Sequence, residues 1–236
     1  MMNFMCNDPK SGFIGKIVDS TPELFHIKWY DQEIDLELNP HGSFEEKVTK
    51  YILYCEGIYN RHNLQKNGLH IYYYPNGNKK EEITYMNGMK NGIQINYDSN
   101  GFIYSKTTYR DDCRSGDQVI IYSDKMTHER KSYVDDMLHG YNEIYYSGKI
   151  KVKIPYVYGI KHGVEIQYDD IGRETMRYSW INGKISGVLN EFYPSGKLKL
   201  IIDYKDNQVH GNISVYNEEG VLIGQKKFRD GIEITS

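Results

Sequence analysis

Three histidines each stand immediately before a glycine: His139, His162 and His210, before Gly140, Gly163 and Gly211. Histidine is the commonest transition-metal ligand, so a recurring histidine raises metal binding first. Paired acids raise proton transfer, at Glu81-Glu82, Asp111-Asp112 and Asp135-Asp136, and Cys113 between Asp112 and Arg114 raises thiolate chemistry. Each suggestion fails on its own chemistry. Residues at equivalent positions in successive β-hairpins lie about 10 Å apart, two strand spacings, whereas zinc needs its ligands about 2.0–2.3 Å from one ion. The histidine column also holds Asn67, Asn91, Ser115 and Ser186, which marks it as a polar turn position. The acids fall on strand faces and turns, where a solvated surface is the plain expectation. Carboxylates beside Cys113 raise a thiol pKa, and a nucleophile needs it lowered. No Gly-x-x-x-x-Gly-Lys-Ser/Thr phosphate loop occurs. The expectation is a protein with no catalytic residue, no cofactor and no metal site.

All these residues occupy fixed positions in an internal repeat. A glycine opens each copy at Gly68, Gly92, Gly116, Gly140, Gly163, Gly187 and Gly211, in steps of 24, 24, 24, 23, 24 and 24 residues. Five residues on stands Tyr73, Tyr97, Ile121, Tyr145, Tyr168, Phe192 or Tyr216. A second aromatic column follows at Tyr85, Tyr109, Tyr133, Tyr156, Trp180, Tyr204 and Phe228, and shares the one-residue deletion in the fourth copy. Self-similarity at such a period marks a repeat array. Between the columns lies a turn, Asn76-Gly77 in the first copy, where both residues are expected at positive φ; only the third copy lacks its glycine, with Asp124-Lys125. A second turn after the second aromatic ends on Gly88, Asp112, Asp136, Gly159, Gly183, Asn207 or Gly231, residues that tolerate the left-handed region. The runs between turns alternate with period two, as in Leu69, Ile71 and Tyr73 against His70, Tyr72 and Tyr74. One face is buried and one solvated. A lone hairpin cannot bury its apolar face, so neighbours stack into a quasi-one-dimensional array.

An opening Gly, an aromatic five residues on, a turn Gly and then Tyr-x-x-Gly resembles the MORN repeat, in the variant form of bacterial antitoxin-like proteins and of large DNA viruses. The resemblance covers residues 66–232, seven copies. It implies an all-β fold, an elongated solenoid or single twisted antiparallel sheet of repeated hairpins. MORN arrays are known as scaffolds, and some were proposed to touch phospholipid head groups. The resemblance therefore implies a non-enzymatic scaffold or protein–protein interaction module. The alternatives it implies are an antitoxin-like inhibitor of a toxin or host enzyme and a peripheral phospholipid-binding protein.

Composition narrows the classes. A hydrophobic content of 39% with 23 tyrosines suits a thin array covered by large amphipathic side chains rather than a thick aliphatic core. The net charge of −3, with no polybasic run, argues against nucleic acid and against an anionic membrane. Cys6, Cys55 and Cys113 are odd in number and far apart, which fits a reducing compartment. The N-terminus has no long apolar stretch for a signal peptide, and no run is long enough to span a bilayer. The expected location is cytoplasmic, in a host cytoplasm or virion if the source is viral. Abundant Ile, Lys, Asn and Tyr suit an A/T-rich genome such as that of a giant virus.

The N-terminal part reads as a mobile tail over 1–10 and a β cap over 11–65, before the array of 66–236. Short strands are expected at 15–18, 24–30 and 34–38. Gly-x-Ile-Val followed by Ile-x-Trp is also similar to a Tudor or SH3-like small barrel, which stays open as an alternative. Residues 43–55 carry both a capping-box helix pattern and a match of Ile52–Gly57 to Ile83–Gly88; a degenerate hairpin over 33–57 is the preferred expectation, with 58–65 a loop. The last strand should leave an unpaired sheet edge, either shielded by Lys226, Lys227, Arg229 and Asp230 or available for self-association. Positions four and six after the opening glycine place Ile120, Tyr122, Ile144 and Tyr146 on the face expected to be wet, and such a patch marks a protein partner site.

Overall fold

The computed structural model describes residues 5–7, 14–38, 44–60, 62–63 and 65–234. These residues contain strands and turns and no helix. The chain forms two compact units, residues 1–113 and 114–236, so the division falls inside the repeat array. The first unit holds β1 (Met5–Asn7), β2 (Ile14–Ser20), β3 (Leu24–Leu38), β4 (Phe44–Asn60), β5 (Lys66–Tyr73), β6 (Lys79–Met86), β7 (Met89–Tyr97) and β8 (Ile103–Arg110), each antiparallel to the next. The second begins at β9 (Cys113–Ile121) and continues through β10 (Thr127–Val134), β11 (Met137–Tyr146), β12 (Lys149–Val157), β13 (Ile160–Lys161), β14 (Gly163–Tyr168) and β15 (Glu174–Ile181). It ends with β16 (Lys184–Ile185), β17 (Gly187–Phe192), β18 (Leu198–Lys205), β19 (Gln208–Tyr216), β20 (Leu222–Arg229) and β21 (Ile232–Glu233). Here too consecutive strands pair antiparallel, except that β12 pairs with both β13 and β14 and β15 with both β16 and β17.

The two turns of each copy differ, and their residues say why. At the second turn both central residues have positive φ, as at Asn87-Gly88, Asp111-Asp112 and Asp206-Asn207. This two-residue turn matches the twist of the strands it joins. Its second residue then donates its N–H to the carbonyl two residues before the copy's opening glycine, as Gly88 does to Lys66 O at 2.8 Å and Gly231 to Val209 O at 2.9 Å. The first turn departs from expectation. Only Gly77, not Asn76, has positive φ; Gly77 N–H donates to Tyr74 O and Tyr74 N–H to Asn78 O. This is a longer turn closed by a left-handed glycine, and the ladder absorbs the extra residue as a bulge beside Tyr72 and Tyr73. In the fourth copy Ser147 and Gly148 both take positive φ and Tyr146 pairs directly with Lys149. The missing residue has converted that turn to the two-residue kind. In the third, Lys125 occupies the left-handed position at φ 58°.

The alternation is as expected, but its sides are reversed. His70, Asn142, Glu165 and Leu189, two residues after their glycines, are buried. Leu69, Ile93, Tyr141, Val164 and Val188, one residue after, are exposed. The second aromatic column pairs with the opening glycines themselves, as Tyr85 with Gly68 and Tyr156 with Gly140. Its rings therefore share the face of positions two and four and cover it, whatever the polarity there.

In the N-terminal part β3 runs unbroken through residues 30 to 34 and pairs with β4 from Leu24↔Asn60 to Leu38↔Phe44. The expected hairpin is thus longer than 33–57, Ile58–Asn60 belong to β4 rather than to a loop, and the helical pattern of 43–55 is not realised. The turn at Asn39–Gly42 and most of the 1–10 tail lie outside the described residues, apart from β1. Ile27, Cys55, Tyr59, His70 and Ile83 form the core of this unit. Trp29 Nε1 donates to Tyr59 Oη at 3.0 Å, and the His70 ring stands edge-on between Tyr59 and Tyr85 at 4.7 and 5.0 Å.

Candidate functional site

The histidine column is a turn dock. His162 Nδ1 lies 3.3 Å from Asn182 Oδ1, and His210 Nδ1 lies 3.0 Å from Asp230 Oδ1, each the first residue of the second turn in its own copy. Asn91 makes the same contact to Asp111 at 3.0 Å. His139 instead packs its ring 4.6 Å from that of Tyr158. Among the described residues no three His, Cys, Asp or Glu side chains are placed to hold one metal ion.

A second column stands two residues before the opening glycine and caps the aromatic rings with cations. In the first unit Lys66 lies over Tyr85 and Lys90 over Tyr109, both at 4.9 Å; in the second, Arg114 lies over Tyr133 at 4.3 Å and Lys161 over Trp180 at 4.2 Å. Such contacts contribute roughly 0.5–2 kcal/mol each. Lys161 also reaches Glu165 at 3.0 Å, and Trp180 Nε1 donates to the same carboxylate at 3.0 Å. These groups satisfy one another, and the face they build is structural.

The four residues expected to form a partner site are brought together, around a group the sequence did not suggest. Glu129 of β10 stands opposite Ile120 on one side and Ile144 on the other. Tyr122 Oη donates to Glu129 at 3.0 Å and Lys131 pairs with it at 3.0 Å. Burial opposes the charge on Glu129, but hydrogen bonds from Lys131, Asn142 and Tyr122 hold its carboxyl below the usual range. Ile120 and Ile144 are half-buried, while Tyr122 and Tyr146 stay exposed. The patch is therefore smaller and more polar than expected, and it lies on the more enclosed face.

A different row is left open. The residues flanking the second turns point to the other face: Val134 opposite Met137 and Val157 opposite Ile160, with Ile181 opposite Lys184 in the next hairpin. Val134, Met137, Val157, Ile160 and Ile181 are all exposed, Ile160 by 51%. Tyr158, 56% exposed, sits among them at φ 46°, where the other copies have Asn or Asp. A bulky residue in that region is an outlier, and such strain concentrates at functional positions. Sequence reading missed this row although its signal was present, since apolar residues abut the turn on both sides.

No described helix is long and apolar enough to cross a membrane. The model of the MORN repeat variant matches residues 66–87 and 182–206. Those segments hold β5–β6 with the first turn of one copy, and the second turn of another with β16, β17 and β18 after it. No curated protein matches the chain.

Proposed function

We propose that this array of variant MORN repeats is a non-enzymatic scaffold that docks a protein partner along the turn edge of its second unit. MORN repeats generally act as protein- or membrane-interaction modules. The observation that supports the protein reading is the row of Val134, Met137, Val157, Tyr158, Ile160 and Ile181, exposed at one hairpin edge after another. Contiguous apolar side chains on a solvated face mark partner sites, and a tyrosine among them is the residue type that anchors interfaces. The net charge of −3 weighs against an anionic membrane surface.

The probe is 1-anilinonaphthalene-8-sulfonate, a dye that reports exposed apolar surface. The native chain should enhance its fluorescence, and Val157→Asp with Ile160→Asp should remove most of that signal with no change in far-UV circular dichroism. If Tyr122→Ala with Ile144→Ser removes it instead, the site is the Glu129 patch. Flotation with vesicles of phosphatidylcholine and phosphatidylserine, lost in salt, would replace the scaffold with a membrane-binding protein. A tight one-to-one complex with a toxin or enzyme encoded beside it would favour the inhibitor.

A further inference from the structure

The first unit holds a carboxylate without a counter-charge. Glu81 of β6 stands opposite Tyr72 of β5 and Asn96 of β7. It is half-buried, and among the described residues its side chain forms no hydrogen bond and no ion pair. Glu129 occupies the same position two copies on, and there Tyr122 and Lys131 each hold it at 3.0 Å. In the first copy Ile83 stands where Lys131 does, and Tyr74, in the place of Tyr122, donates its hydroxyl to Tyr97 O at 2.8 Å instead. Asn96 donates to Ser105 at 2.8 Å, and Lys66 is engaged by Tyr72 Oη and by the ring of Tyr85. Glu81 is left among aromatic rings.

Those rings are arranged to receive a cation. Tyr54 and Tyr72 meet edge-on, with ring centres 6.0 Å apart and planes at 83°. Tyr74 follows two residues after Tyr72, and Tyr104 enters from β8. Burial first, then Tyr74 and the charge of Glu81, raise the Tyr104 hydroxyl above its usual range, which ties these three groups together. Tyr54 and Tyr104 stay 41% and 45% exposed, so the rings are open to a ligand. The array already places cations at such rings. Lys80 Nζ lies 5.8 Å from the centre of the Tyr74 ring. In the sixth copy the equivalent Lys199 lies 6.0 Å from Tyr193 and pairs at 2.6 Å with Glu191, which stands where Tyr72 does. There the chain's own ammonium meets a carboxylate directly. In the first copy Lys80 forms no ion pair among the described residues, and the rings outnumber the charges.

We propose that Tyr54, Tyr72, Tyr74 and Tyr104, together with Glu81, bind a trimethylated ammonium group carried on a lysine side chain of a protein partner. A ring face attracts a cation within about 6 Å of its centre. A primary ammonium is strongly hydrated and seeks a direct carboxylate contact, as Lys199 does. A quaternary ammonium donates no hydrogen bond, so several rings with one carboxylate nearby suit it better. The site is open, whereas a free small molecule needs a pocket that buries most of its surface. A lysine side chain brings the rest of its own chain to the sheet and needs no such pocket. The choice of partner rests on the scaffold reading; the cation site does not.

An NMR titration of the isotope-labelled full chain tests this, with the peptide Gly-Gly-Lys-Gly-Gly trimethylated or unmodified at its lysine. The trimethylated peptide should bind about tenfold or more tightly than the unmodified one and shift the amide signals of Tyr72, Glu81 and Tyr104. Glu81→Gln and Tyr104→Ala should each weaken it about fivefold or more, with far-UV circular dichroism unchanged. Lys80→Gln, which uncovers the Tyr74 ring, should tighten it, a gain that misfolding does not produce. Equal binding of the two peptides overturns the proposal, as does binding that survives both Glu81→Gln and Tyr104→Ala. Flotation with phosphatidylcholine vesicles in place of peptide binding also overturns it, in favour of a lipid head group. The readout is separate from the dye signal of the turn-edge row, so either reading can fail alone.

Discussion

The first and last hairpins of the array share one backbone pattern and differ in burial. In β5–β6, Ile83 is 1% exposed and faces His70, which is fully buried. In β19–β20 the equivalent position is Lys226, exposed, facing Ile213. The turns, the bulge and the opening glycine are the same in both. Burial therefore comes from neighbouring strands and not from the hairpin itself, as expected of a quasi-one-dimensional array. β6 has β5 and β7 beside it, and β3–β4 extend the same face with Ile27, Cys55 and Tyr59.

Substitutions that add atoms should break this comparison most sharply. A Cβ on Gly57 would lie 2.2 Å from His70 Nδ1, whereas one on Gly224 meets open space. Gly57→Ala should cost about 3 kcal/mol or more through overpacking of the His70 ring. Gly224→Ala should be neutral or stabilise by about 0.5 kcal/mol, because its φ suits any residue and the unfolded chain loses freedom. Urea titrations of the two variants give both numbers, and equal effects would mean that the two ends are packed alike. Removing atoms should separate the ends next. Ile83→Ala should cost about 3 kcal/mol and Lys226→Ala less than about 0.5 kcal/mol, by the same titration.

A smaller effect, of at most about 3 kcal/mol, belongs to pH. Burial depresses the His70 pKa to about 4, against its hydrogen bond to Ile58 O and with help from Lys66 and His26 nearby. The unfolded chain then takes up the proton near pH 6.5 while the folded chain does not. Stability of the first unit should be level above about pH 7, fall as the pH drops from about 6.5 to 4, and change no further from this group below that. Hydrogen exchange of peptides from residues 53–86 should quicken across that window, and His70→Gln should flatten the dependence. Glu129, a depressed carboxylate of the second unit, acts lower: it loosens that unit only as the pH falls below its ordinary 4.5.

Within the array the period and the second turns were legible because they rest on local chemistry. Gly, Asn and Asp are the residues that adopt positive φ without strain, and they recur at those turns. The deletion in the fourth copy was visible, though its cause, a change of turn at Ser147-Gly148, needed the dihedrals. Which face is enclosed was not legible. Leu69, Ile93 and Val164 are more apolar than His70, Gln94 and Glu165, so hydropathy alone points the wrong way. The reach of Tyr85, Trp180 and the cations above them decides the matter, and it depends on pairing across strands. For the same reason Ile120 and Ile144 could be aligned from their spacing, but not Glu129, which enters from the strand between them. The continuity of β3 was hidden because its middle, Asp31-Gln32, reads as a break.

The bond from each second turn back to the start of its own copy has a kinetic consequence. It closes a loop of about one repeat, and the strand ladders on either side close loops no longer. Among the described residues only β3–β4 reaches further, and only to Leu24↔Asn60. The mean sequence separation of contacts is then below about a tenth of the chain length, a range typical of helical bundles rather than of β-sandwiches. An all-β chain built this way can nucleate at any hairpin and grow outward, without the long-range search that slows most sheet proteins.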